Sequence, residues 1–74
     1  ILHNPYAEYL YYNRACCYVK LGEIDKAIFD LRKSTLIQPK IIDMAKEDKD
    51  FNSIRNDSRF ISLIEEKSGD NLIN

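Results

Sequence analysis

Apolar and polar positions along this chain recur at helical spacing. From Tyr6 to Leu21 no proline or glycine interrupts the run, and Gly22 then stops it. Ahead of it stands Asn4-Pro5. Asn accepts hydrogen bonds from the first helical amides, and Pro lacks only an N–H that would be orphaned there. Glu23-Ile24-Asp25 restarts the pattern, with Ala27, Ile28, Leu31 and Thr35 on one helical face. Pro39 ends this second run, since the residue before a proline is pushed out of the helical region. The pattern thus predicts two helices, near Tyr6–Leu21 and Ile24–Ile37, folded into an antiparallel hairpin by a glycine turn.

The second half is more broken. Ile41, Ile42 and Ala45 predict a short helix, and Asp48-Lys49-Asp50 a turn. Asp50 is placed to cap a brief helical turn from Phe51 to Arg55. Asp57 is placed to cap a last helix with Phe60, Leu63 and Ile64 on one face. Gly69 follows a helical pattern, as Gly22 does, and both read as C-caps; residues 68–74 read as a loose tail. Nine of the 17 residues from Asp43 to Arg59 are charged with both signs mixed, the pattern of a solvated face. No segment alternates apolar and polar residues as a strand would, so the expected class is all-α.

Composition narrows the function classes. The 74 residues allow one domain with a modest core. Twelve acidic side chains nearly cancel eleven basic ones, which argues against a strongly basic nucleic-acid or membrane-surface module. No apolar run approaches a membrane span. The chain starts with Ile and shows no targeting pattern, and it is expected to be a piece of a longer one. Cys16 and Cys17 are adjacent, and side chains one residue apart on a helix diverge, so a disulfide between them is disfavoured. Reduced thiols fit a cytoplasmic home. A zinc site needs four ligands, and only His3 could join the two cysteines. With no nucleophile, phosphate-loop or metalloprotease motif, neither catalytic residues nor metal nor cofactor are expected.

Pro5 and Pro39 are 34 residues apart. Between them Tyr11, Ala15, Tyr18, Gly22, Ala27, Leu31 and Pro39 fall at the spacings of the tetratricopeptide repeat, which this segment resembles; Arg14 departs from the pattern, standing where a leucine is usual. The alanines are small so that two helices can approach, and Tyr11, Tyr18 and Leu31 fill the space around that contact. The resemblance implies an α-solenoid fragment. Residues 1–4 would be the tail of a truncated preceding repeat, 5–39 the repeat, 40–67 short capping helices and 68–74 a flexible tail. The run from Asp48 to Arg55, followed by Asn56-Asp57-Ser58-Arg59-Phe60, resembles the segment that closes many prokaryotic arrays, with Ser58 in place of a proline. Solenoid ends need such a cap because the last repeat otherwise exposes an apolar face. Phe51, Ile54, Phe60, Leu63 and Ile64 would cover the second repeat helix.

In this family the first helix of each pair lines a concave groove. The resemblance places Tyr9, Tyr12, Asn13, Cys16, Val19 and Lys20 there. Tyr12-Asn13-Arg14-Ala15 also resembles the carboxylate-clamp subfamily, which grips acidic C-terminal tails with basic residues from neighbouring repeats. Here the following segment offers Asp43 and Glu47 beside Lys46. The implied function is a non-enzymatic protein-interaction module that binds a partner protein or peptide, not nucleic acid or membrane. The alternative is a purely structural solenoid cap or a self-association segment, with recognition or catalysis elsewhere in the full-length protein.

Overall fold

The computed structural model describes residues 6–72, with side chains described through Glu65. Its elements are α1 (Ala7–Lys20), α2 (Ile24–Ile37), α3 (Ile41–Glu47), a 3-10 helix (Lys49–Ile54) and α4 (Ser58–Leu72). Among the described residues there is no strand. The all-α hairpin with short following helices expected from the sequence is therefore the fold.

The hairpin forms where the small residues sit. Ala15 and Ala27 are fully enclosed at 0% and 1% exposure, with Ile28 and Leu31 buried beside them. Tyr18 packs half-buried against this cluster. The turn is a Schellman motif: Gly22 N–H donates to Val19 C=O and Glu23 N–H to Tyr18 C=O, at 3.0 and 2.9 Å. Gly22 carries it at φ +79°, a left-handed conformation in which a side chain would be strained. A cross-link absent from the periodicity argument joins the helices, Ser34 Oγ donating to Glu8 C=O at 2.7 Å.

The second half departs from expectation in three places. Asp48, not Asp50, caps the 3-10 helix: its Oδ1 accepts from Asp50 N–H at 2.9 Å. The helix therefore starts at Lys49, two residues before Phe51. Asp57 does open α4, its Oδ1 accepting from Arg59 N–H at 2.8 Å. Gly69, however, lies inside α4, which continues as helix to Leu72 through the stretch read as a loose tail. A lone glycine in a helix costs only about 1 kcal/mol relative to alanine, too little to end one by itself. Asn4-Pro5, the expected cap of α1, and the end of the tail at Ile73-Asn74 lie outside the described residues.

The third departure concerns packing. Phe51, Ile54, Phe60 and Leu63 are all buried and Ile64 partly so, but they do not cover α2 alone. The 3-10 helix packs on α1, while α4 packs on α3 and α2. Phe51 is the hub: its ring meets Tyr12 of α1 edge-on at 5.5 Å and Phe60 of α4 at 5.7 Å. Each fully buried ring or aliphatic side chain of this kind contributes roughly 1.5–3 kcal/mol.

Candidate protein-interaction surface

The residues assigned to the groove divide into two sets. Tyr12, Cys16 and Val19 are buried at 4%, 8% and 7% exposure, because the 3-10 helix lies over them. Tyr9, Asn13 and Lys20 are exposed on the same helix. The resemblance put all six in the groove; the segment that follows the hairpin decides which of them solvent reaches.

A clasp holds that segment down. Tyr12 Oη donates to Asp48 Oδ2 at 2.5 Å, and Lys20 Nζ lies 3.8 Å from Asp50. Cys16, Asp48 and Asp50 offer ligand atoms within 4.8 Å of one another. Both carboxylates are already engaged: Asp48 by the Tyr12 hydroxyl and the Asp50 amide, and Asp50 by Lys20. Burial, reinforced by the neighbouring Asp48 charge, pushes the Cys16 thiol up to about 12, so it stays a neutral core group. Burial, with the hydrogen bond to Asp48, holds the Tyr12 phenol protonated, and the same bond holds the Asp48 carboxyl below the usual range. Cys17, by contrast, is exposed, and both cysteines are free thiols. The two adjacent cysteines thus diverge, but only one of them is the small core hydrophobe expected.

Arg14 explains its departure from the repeat pattern. Its guanidinium grips the buried carboxylate of Asp30 on α2 with two bonds, Nε to Oδ2 at 2.6 Å and a terminal nitrogen to Oδ1 at 3.0 Å. Asp30 is 1% exposed and would be a costly buried charge without this partner. The guanidinium of Arg14 also lies over the rings of Tyr11 and Tyr18, 5.8 Å from each centroid. Arg55 is a second structural cation that the reading of a solvated charged face missed. It donates to the Asp48 carbonyl at 2.7 Å and to Asn52 Oδ1 at 2.8 Å, and lies over the Phe60 ring. Arg59 likewise bridges Asp57 and Asp25, tying α4 to α2. Spacing identified no partner for Arg14–Asp30, Arg55–Asp48 or Arg59–Asp25, since each of these joins residues brought together by the fold.

An antiparallel hairpin with alanines at its crossing and a left-handed glycine in its turn defines a helical-repeat unit. Residues 8–41 match the family model of the tetratricopeptide repeat, a stretch that takes in α1 from its second residue, all of α2 and the first residue of α3. No curated protein and no solved structure gives a significant match. Tetratricopeptide repeats typically serve as scaffolds of protein–protein interaction, and the matched repeat supports an interaction module in that general sense. No helix among the described residues is long and apolar enough to cross a membrane.

Proposed function

We propose that this chain is the last repeat and the cap of a tetratricopeptide array, and that it binds a partner peptide or protein along the exposed part of its groove helix. The observation that carries the reading is the exposed line of Tyr9, Asn13 and Lys20 above a floor of buried Tyr12, Cys16 and Val19. The floor fixes the helix, and the exposed residues offer an aromatic contact, an amide and a cation. Tyrosine is enriched among residues that dominate binding energy. Lys20 is shared with Asp50 at 3.8 Å, so its pull on an acidic ligand is attenuated and salt-dependent. The cap reading is supported by the burial of Phe51, Phe60 and Leu63, which covers apolar surface beyond the matched repeat.

The test compares capture of partners from a cell extract by the wild-type parent protein and by a Tyr9→Ala/Lys20→Ala variant. Loss of a specific partner by a variant with unchanged helicity supports groove binding. Equal recovery of every partner supports the second reading, a purely structural segment. That reading is favoured by the position of the 3-10 helix, which itself occupies half of the groove stripe. A partner lost only on Asn13→Ala, and only when it ends in a free acidic carboxylate, would point to clamp-like binding.

A further inference from the structure

The layer that follows the hairpin carries a depression of its own. It lies between α3 and α4 and is lined by Lys46, Arg55, Phe60, Ile61, Ile64 and Glu65. Its floor is apolar: Phe60 is buried, Ile64 is partly buried and Ile61 is 38% exposed. Its two ends differ in charge. Arg55 lies over the Phe60 ring and donates to the carbonyl of Ala45, next in sequence to Lys46, so both cations stand beside the start of α4. Glu65 comes five residues after Phe60, roughly 7.5 Å further along α4 at 1.5 Å per residue. Among the described residues neither Lys46 nor Glu65 has an ion-pair partner, although they line one depression.

From this arrangement we infer that the depression is a contact surface for a second copy of this chain, paired about a two-fold axis with the two α4 helices antiparallel. The charge pattern selects that occupant. A surface cationic at one end and acidic at the other is complementary to itself when turned end for end. Lys46 then faces Glu65 of the second copy, and Glu65 faces its Lys46. The two Ile61 side chains meet near the axis, over the floor of Phe60 and Ile64. An acidic peptide would bring like charge against Glu65, and a basic one against Lys46 and Arg55. The volume, about 220 Å³, falls below the roughly 300–1,000 Å³ of small-molecule sites. Arg55 has little left to offer a free anion, since it donates to Asp48, Asn52 and Ala45. So small a contact buries less than a standard interface, and the isolated chain forms a weak dimer through it. The inference rests on the proposed cap, in which α4 is the outermost element, and uses no residue of α1.

The test is sedimentation of the whole chain over a range of concentrations at low salt. The wild type is expected to rise from the monomer mass toward twice that value. Ile61→Asp, at an exposed position, is expected to weaken dimerisation about tenfold or more. Glu65→Lys and Lys46→Glu each set like charges at both contacts, and each alone is expected to stay monomeric where the wild type dimerises. An equal mixture of the two restores opposite charges at both contacts and is expected to recover the dimer, as is the double swap Lys46→Glu/Glu65→Lys. Circular dichroism checks that every variant keeps its helicity. A wild type that stays monomeric at every concentration overturns the inference. So does a dimer that the charge variants leave unchanged, or one abolished by Leu10→Asp/Phe29→Asp, which would place the contact on the hairpin. The cap itself is tested by the melting of the chain truncated after Asn56, so the two readings can fail separately.

Discussion

The Arg14–Asp30 pair is the residue whose removal the hairpin should feel most among its charged groups. Asp30 is enclosed and its carboxylate has two bonds to one guanidinium. Arg14→Ala leaves that charge without its partner, and is expected to lower the urea midpoint more than Lys33→Ala does. Replacing both members, Arg14→Leu with Asp30→Leu, should recover most of the loss, because a buried pair can often be exchanged for packed apolar groups. A double mutant less stable than Arg14→Ala would show that the pair does more than neutralise Asp30. The Tyr12–Asp48 bond gives a pH signature. Asp48 titrates below its usual value when folded, chiefly because the Tyr12 hydroxyl donates to its carboxylate. A depressed folded pKa adds stability above the unfolded value near 3.9, and that stability is lost as pH falls through the folded value. Urea midpoints at pH 6 and below pH 4 should therefore differ more for wild type than for Tyr12→Phe. Equal acid sensitivity in both would mean that the clasp does not contribute.

At the scale of elements, the connection between α1 and α2 is the point of least tolerance. A Cβ at Gly22 would meet nothing within 4 Å, so space is not the constraint. The constraint is φ +79°. Gly22→Ala is expected to cost about 1–2 kcal/mol through backbone strain alone, read as a drop in melting temperature with unchanged helicity at low temperature. An unaltered melting temperature would mean that the turn can relax to another conformation. The 3-10 helix shows how an element too short to be stable alone is held. Its cap is Asp48, its anchor is Phe51, and Arg55 at its end is fastened to the Asp48 and Ala45 carbonyls.

For the whole molecule, two packed layers meet at Phe51 and Phe60. Removing Phe60, 3% exposed, should destabilise by about 3–5 kcal/mol, set against the 5–15 kcal/mol total typical of a domain. The chain is small enough for that loss to be visible as unfolded protein at room temperature by circular dichroism. If the chain truncated after Asn56 melts where the intact chain does, α4 contributes nothing to the hairpin and the cap proposal fails.

Local signals determined much of this protein. Gly22 requires a left-handed turn, Ala15 and Ala27 mark a close helix crossing, and Pro39 marks a break; each acts through its own backbone or volume, so each could be read before any contact was known. The repeat, its hairpin and the buried set around Leu31 follow from them. The tertiary structure decided what depends on residues far apart in the chain. It laid the 3-10 helix on α1 rather than leaving α1 open, which buried Tyr12, Cys16 and Val19 and left Tyr9, Asn13 and Lys20 at the surface. It matched Arg14 to Asp30 and Arg55 to Asp48, so that charges which look like solvent-facing polar residues became fasteners. Helical periodicity reports which side chains share a face. It cannot report what covers that face, because burial is the result of packing between segments whose register no local pattern encodes.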